Sequence, residues 1–235
     1  MWKLIKLEWT KNHVSKYILG AVIVTGVIGL LMFAQCYLGI ANDASSGVPD
    51  SVPGMDTMAP QIELFTNLCF LIFTAAMMSS FIITPYMNKT MNLMFSYPIK
   101  RQKIVIAQML SVWLFCFVAL LVGKLLIYTI LTTMKGSFTA YFTLGYNMAD
   151  VNFYVQILLK TAVTVTLGFI ALYVGTSMKS SKAAIITSFL LFAVMNGTVG
   201  DFSLRGNAIV PITLVIISLI CAYLSIYKVE TKDLK

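Results

Sequence analysis

The chain has few of the side chains on which catalysis and ion coupling depend. Its 235 residues include nine Asp and Glu and a single histidine, His13, and charged residues make up 11% of the total. The sequence contains no combination of Ser, His and a carboxylate that would indicate a hydrolase. His13 is not part of an HExxH motif or of any similar group of metal-ligating residues. The sequence therefore predicts neither a catalytic site nor a metal site in this chain.

A phosphate-binding loop is also missing. No GxxxxGK[ST] run occurs, so the chain lacks the loop and lysine with which P-loop ATPases hold ATP. We expect the chain to bind no nucleotide or other cofactor of its own. Its four cysteines, Cys36, Cys69, Cys116 and Cys221, lie in or beside apolar runs without the close pairing of a redox motif, which indicates that they are apolar fillers.

Apolar residues dominate the chain instead. They make up 59% of it, and the mean hydropathy is +0.86, which is more than one soluble core buries and is typical of polytopic membrane proteins. A bilayer core of about 30 Å needs roughly 20 helical residues per crossing. The apolar runs predict an all-α fold with six transmembrane helices in a single domain, residues 1–235, with spans at 17–40, 62–86, 104–130, 153–178, 183–199 and 208–227.

The N-terminal residues 1–16 predict a helix that lies in the membrane interface. Trp2, Ile5 and Trp9 recur at helical spacing on one face, whereas lysines occupy the rest of the helix. Tryptophan prefers the depth of the headgroups, and lysine side chains extend towards them. We therefore expect this segment to be an interfacial helix that leads into the first span.

The basic residues fall mainly on one side of the six-span arrangement. That side holds 13 of the 17 Lys and Arg residues, namely Lys3, Lys6, Lys11, Lys16, Lys89, Lys100, Arg101, Lys103, Lys179, Lys182, Lys228, Lys232 and Lys235. By the positive-inside rule, both termini lie in the cytoplasm of a bacterial cell, and the protein crosses the cell membrane several times. Topology thus explains the net charge of +8, and no nucleic-acid-binding module accompanies it.

Residues 87–103, MNKTMNLMFSYPIKRQK, separate spans two and three on this cytoplasmic side and are called the coupling segment below. The segment has four basic and no acidic residues and breaks at Tyr97-Pro98, so it predicts a short helix and turn. Exposed methionine and aromatic side chains on such a helix suit a groove in a soluble partner. The predicted contact residues are Met91, Met94, Phe95, Ser96, Tyr97, Pro98 and Arg101.

Two lysines, Lys124 and Lys160, lie inside predicted spans. Both fall in the outer halves of neighbouring spans, which favours the interpretation that their ammonium groups extend to the headgroups. The alternative hypothesis is that they line a substrate path open to the outside and meet an acidic group of the substrate. Asn196 in span five is a further candidate for this path.

The order of these features resembles the permease subunit of a type-2 ABC exporter. It is similar to the small six-span branch that includes bacitracin-resistance, lantibiotic-immunity and toxic-peptide (phenol-soluble-modulin-like) export permeases. The opening LIKLEWTKNHVSKYIL is similar to the connector helix and first span of that family, and MNLMFSYPIKRQKIVIA to its leucine-rich turn followed by Pro, two residues and Arg or Lys. The chain departs from the family at Asn88 and Lys89, where an acidic residue is common, and at Gln108, where a lysine is common.

The resemblance implies a set of partners. A separate cytoplasmic ABC ATPase, in two copies per transporter, holds ATP and Mg, and a second permease chain forms a homodimer or heterodimer with the first. Spans one and five often face the second permease in this family, which makes Gly20, Gly26 and Gly29 candidates for the dimer seam; packing within one chain is the alternative.

The resemblance implies export, and the scarcity of charges in the spans suits a hydrophobic or amphipathic peptide, an antimicrobial or a lipid-like substrate. The chain itself is not expected to be an enzyme. Two other functions stay open: a channel or ion-coupled carrier, which the scarcity of acids in the spans disfavours, and an immunity or sensor protein that binds an antimicrobial without transporting it.

Overall fold

The computed structural model describes residues 2–12, 14–38, 58–87, 101–134, 145–199, 202–203 and 209–231. These residues form seven helices and one small β pairing. The helices are α1 Trp2–Lys11, α2 Ser15–Leu38, α3 Met58–Met78, α4 Arg101–Met134, α5 Val151–Ser177, α6 Ser181–Asn196 and α7 Ile209–Thr231. Strand β1 (Thr198–Val199) pairs with β2 (Phe202–Ser203) in antiparallel fashion.

Five helical stretches in the described part of the chain are long and apolar enough to cross a membrane. They are Ser15–Gln35, Met58–Ile83, Gln102–Met134, Val151–Ser177 and Ile209–Tyr227. This agrees with the predicted class, a polytopic helical membrane protein. Helix α6 is apolar but has only 16 residues, or about 24 Å at 1.5 Å per residue, which is shorter than a bilayer core of about 30 Å.

The fifth predicted span differs from the structure at its C-terminal end. The prediction extends it to residue 199, but α6 ends at Asn196 and Gly197 has an extended backbone with φ −68° and ψ 154°. Asn and Gly both have low helix propensity, so the helix ends at this pair. Thr198 and Val199 then form strand β1 rather than another helical turn.

Helix α3 changes its hydrogen-bond register before Pro85. It continues from Met78 through a π-helical turn, Ser79–Ile83, into a short helical segment, Thr84–Met87. The Thr84 N–H donates to the carbonyl of Ser79, five residues earlier. Proline has no N–H to donate, and its ring would clash with the carbonyl four residues before it. The π-helical turn thus lies directly before the helical turn that contains the proline.

Contacts between helices fix their relative directions. Glu63 pairs with Lys160, and Gly168 packs against Thr74, so α3 and α5 run in the same direction. Cys116 contacts Met77, and Gly123 packs against Phe70, so α4 runs in the opposite direction. Helices α3, α4 and α5 form the buried centre of the bundle.

The two ends of the bundle have different neighbours. At one end, called the basal end below, the start of α2 meets the last turns of α3 through a hydrogen bond of 2.6 Å between the hydroxyls of Tyr17 and Ser80. The start of α4 and the turn between α5 and α6 lie at the same end. The described lysines at this end are Lys6, Lys11, Lys16, Lys103, Lys179 and Lys182, all of them in the group that the sequence assigns to one side.

Candidate functional site

Helix α1 docks on the first turns of α4 at the basal end. The Trp9 indole N–H donates to the backbone carbonyl of Ser111 at 3.3 Å. The Gln108 amide donates to a Glu8 carboxylate oxygen at 3.4 Å. Ile5 and Glu8 are buried in this contact. The amphipathic N-terminal helix is therefore fixed to the helix whose first residues, 101–103, are the last residues of the coupling segment.

The face of α1 that packs on α4 includes Ile5 and Glu8 but not Trp2. Trp2 is 67% exposed, whereas Glu8 is only 5% exposed. The two tryptophans do share one side of the helix, since their ring centroids lie 6.5 Å apart. Glu8 is not among the predicted site residues, because the side chain of a lone acid in a lysine-rich helix is usually solvated. Glu8 can be buried because the fold places the amide of Gln108, which is distant in sequence, next to its carboxylate.

Glu8 has further donors within its own helix turn. The Asn12 amide donates to the second carboxylate oxygen at 3.1 Å, and the Lys11 ammonium lies 4.0 Å from the same oxygen. A buried carboxylate is stable only when such partners replace water. Gln108, a position where the chain departs from the family pattern, is thus part of the contact between α1 and α4.

The coupling segment lies between two described helices. The α3 continuation ends at Met87, and Arg101 is the first residue of α4. Both residues lie at the basal end, beside the docked α1. The predicted contact residues Met91, Met94, Phe95, Ser96, Tyr97 and Pro98 lie outside the described residues, so their role stays a prediction.

An ion pair joins α3 to α5 inside the spans. The Lys160 ammonium lies 2.7 Å from a Glu63 carboxylate oxygen, with side-chain exposures of 49% and 16% respectively. Glu63 lies in the first turns of α3 and Lys160 lies within α5, in two spans that are not consecutive in the sequence. The sequence contains an indication of this pair. Glu63 lies in one apolar run and Lys160 in another, and opposite charges within spans tend to pair.

Lys124 lies in the middle of this part of the bundle and is completely buried. Its ammonium has no hydrogen-bond partner among the described residues. Its neighbour Gly123 packs against Phe70, which lies about two helical turns after Glu63 on α3. The interpretation that Lys124 extends to the headgroups is therefore wrong, because α4 is a central helix and turns this side chain towards α3 and α5.

An aromatic cluster lies one helical turn beyond Lys124. The ring of Tyr128 is buried and lies 4.7 Å from that of Tyr146 and 5.0 Å from that of Phe153, between centroids. The Tyr146 hydroxyl donates to the Tyr128 carbonyl at 3.1 Å. The Tyr146 hydroxyl also lies 3.1 Å from that of Thr132, so Tyr146 packs back onto α4.

The remaining predicted residues have separate environments. Asn196 donates to the Phe192 carbonyl of its own helix at 3.1 Å. A Cβ added at Gly20 would lie 3.3 Å from the Phe73 ring, so Gly20 packs within the chain, whereas nothing described lies within 4 Å of a Cβ at Gly26 or Gly29. The dimer seam stays a prediction, now for Gly26 and Gly29 alone.

Three other glycines, which the sequence analysis passed over, make the close helix contacts. They are Gly123, Gly168 and Gly175, and an added Cβ would lie 2.9 Å from Thr25 Oγ1, 2.8 Å from Thr74 Cγ2 and 2.9 Å from Ala184 Cβ, respectively. Each is an isolated glycine inside an apolar helix, which is the available sequence signal.

The comparisons with known proteins give one relative and no family. The chain is 26% identical over 234 residues to a protein of Bacillus subtilis (strain 168) described as uncharacterized protein YcbO, a match that covers 98% of this chain and 99% of the relative. No family model matches the chain, and no solved structure matches it. The similarity thus extends over nearly the full length of both chains. The description of the relative names no activity.

Proposed function

We propose that this chain is the permease subunit of an ATP-driven exporter. It moves a hydrophobic or amphipathic substrate, such as a peptide, an antimicrobial or a lipid-like molecule, out of the cytoplasm or the inner leaflet. A separate cytoplasmic ATPase binds ATP and Mg. The observation that carries this proposal is the docking of α1 on the start of α4 through Trp9–Ser111 and Glu8–Gln108.

That contact supports a mechanical role for the basal end. A force on the coupling segment acts on α4 at Arg101 and on the α3 continuation at Met87. Helix α4 is continuous over 34 residues, about 50 Å, and moves as one body together with α1. Helix α3 instead contains the π-helical turn Ser79–Ile83, a feature that often occurs at functional sites in helices. The two helices therefore respond differently to the same push.

The proposed topology has six crossings with both termini in the cytoplasm of a bacterial cell. Helix α6 supplies the shortest crossing. The basal end is the cytoplasmic end, since the described lysines gather there and the positive-inside rule favours it. Two permease chains and two ATPases form the transporter, and the side of α2 that carries Gly26 and Gly29 faces the second permease chain.

A second candidate function, an ion-coupled carrier, is favoured by Glu63, Lys124 and Lys160. Ionisable groups within spans mark ion or proton pathways in many transporters. Glu63 and Lys160 pair inside the bundle and Lys124 is buried on α4, an arrangement that the sequence analysis did not predict. An exporter driven by ATP needs no such ion site. The two functions therefore differ in their energy source, which is ATP hydrolysis for the exporter and an ion gradient for the carrier.

Transport in reconstituted vesicles separates the two functions. The chain is reconstituted with and without a cytoplasmic ABC ATPase from its host, and release of a labelled amphipathic peptide is followed with ATP, with a nonhydrolysable analogue, and with a proton or sodium gradient alone. The proposal expects transport only with hydrolysable ATP and the ATPase present. Transport by this chain alone, driven by an ion gradient, would establish the carrier instead.

A further inference from the structure

The charges inside the bundle do not balance. Helices α3, α4 and α5 carry Glu63, Lys124 and Lys160, and Gly123, next to Lys124, packs against Phe70, about two helical turns after Glu63 on α3. The single carboxylate already pairs with Lys160 at 2.7 Å. In the described part of the chain this leaves the Lys124 ammonium with no acceptor, although the residue is completely buried. The neighbourhood therefore holds one excess positive charge.

Lys124 cannot place this charge in water. It lies ten residues before Met134, the last residue of α4, which corresponds to about 15 Å along the helix. The contacts of Gly123 with Thr25 and Phe70 place this turn of α4 against α2 and α3. Lys160, by contrast, keeps a side chain that is 49% exposed. The two lysines are thus distinct: one is paired and partly open, and the other is closed in and unpaired.

Two further polar atoms near the ion pair lack partners among the described residues. They are Asn67 Oδ1 and Thr161 Oγ1, both buried. Asn67 lies one turn after Glu63 on the same side of α3, and Thr161 directly follows Lys160 on α5. A buried ammonium without an acceptor is strongly destabilising, and unpaired amides and hydroxyls add to the cost. A polar group that is not part of these helices would satisfy them.

We propose that Lys124 binds the acidic head, a phosphate or a carboxylate, of an amphiphilic molecule. The ammonium supplies the charge for the head, and the apolar residues of the surrounding helices suit the tail. The assignment of this molecule as a transported substrate rests on the proposed export function, but its binding does not.

Binding is measured on the purified full-length chain in nanodiscs of phosphatidylcholine, which has no net charge. Dodecyl phosphate, dodecanoate and dodecanol are titrated separately, and the midpoint of thermal unfolding is followed. The first two probes test the phosphate and carboxylate heads, and dodecanol has the same tail without a charge. We expect the midpoint to rise with the concentration of at least one acidic probe and to stay unchanged with dodecanol.

Two variants test the residue. Lys124→Met should weaken binding of the acidic probe by at least about tenfold, and it should unfold at a higher temperature than the unmodified chain without ligand because it removes the excess charge. The matched control Lys179→Met removes an exposed lysine at the basal end and should bind normally. Lys124→Arg keeps the charge and should bind within about threefold of the unmodified chain, which provides a second test if the methionine variant does not fold.

The contradicting results are equally definite. The proposal would be overturned if Lys124→Met bound the acidic probe as tightly as the unmodified chain does. It would also be overturned if dodecanol raised the unfolding midpoint as much as the acidic probes do, or if neither acidic probe raised it. Because the titration contains no ATPase and no ATP, binding without ATP-driven transport would reject the export function alone. Transport without this binding would reject only the acidic-head site.

Discussion

Glu63 and Lys160 form an ion pair of 2.7 Å that links α3 to α5, whereas the ammonium of the buried Lys124 on α4 has no hydrogen-bond partner among the described residues. Helices α3 and α5 are not consecutive in the chain, and α4 lies between them in sequence and carries Lys124. The carboxylate of Glu63 is thus the only acid among the described side chains that serves either lysine. This arrangement makes the consequences of removing each partner unequal.

Removing the acid should cost more stability than removing its partner. Glu63→Gln leaves Lys124 and Lys160 without a carboxylate, and we expect a loss of about 2–3 kcal/mol in unfolding free energy. Lys160→Met leaves Glu63 available to Lys124, and because Lys160 is half exposed the loss should be below about 1 kcal/mol. Thermal unfolding of the purified variants in one detergent provides the comparison. An equal or larger loss for Lys160→Met would show that Glu63 does not serve Lys124.

The close helix contacts predict a sharp difference between glycines. In Gly175→Ala the new methyl group would overlap Ile83 and lie 2.9 Å from the Ala184 Cβ, which is fixed to its backbone. Overpacking of this kind typically costs about 1–3 kcal/mol. Gly26→Ala adds a methyl where nothing described lies within 4 Å, and should be neutral or stabilising by up to about 1 kcal/mol through helix propensity. The unfolding midpoints of the two variants test this, and similar midpoints would contradict the helix packing described.

The docking of α1 is tested by a pair of matched tryptophan variants. Trp9→Phe keeps a ring but removes the N–H that donates to the Ser111 carbonyl, which should weaken docking by about 1 kcal/mol. Amide hydrogen exchange in α1 should then become roughly fivefold faster. Trp2→Phe changes a ring that is 67% exposed and should leave exchange unaltered. Equal exchange rates in both variants would remove the contact that carries the proposed function.

The sequence predicts the helices well because their signal is local. Runs such as Tyr17–Ile40 and Phe153–Met178 are apolar over about the length of a bilayer core, and the structure has helices at Ser15–Leu38 and Val151–Ser177. The disturbance at Pro85 is local as well, since it follows from the missing N–H. The end of α6 was misplaced because Thr198 and Val199 are apolar enough to extend the run, while Asn196-Gly197 ends the helix.

The side chains of the candidate site could not be assigned from the sequence. Lys124 and Lys160 look alike there, because each is a single lysine in an apolar run. Which lysine is buried depends on which side of α4 and of α5 packs against the other helices. Contacts between helices that are distant in sequence determine those sides. For the same reason Gly20 packs within the chain while Gly26 does not, although both lie in one apolar helix.

The central claim, that a separate ATPase drives this chain, is tested most directly at Phe95. The tagged chain is purified from its host membranes in mild detergent, and vanadate-sensitive ATPase activity is measured per mole of chain for the unmodified protein, for Phe95→Glu and for Ser46→Glu. The last variant adds the same charge in the predicted outer loop. A buried charge in a docking groove is strongly unfavourable, so we expect Phe95→Glu to lose at least about 90% of the co-purified activity with an unchanged unfolding midpoint, and Ser46→Glu to keep it. No co-purified ATPase activity with the unmodified chain, or undiminished activity with Phe95→Glu, would contradict the account.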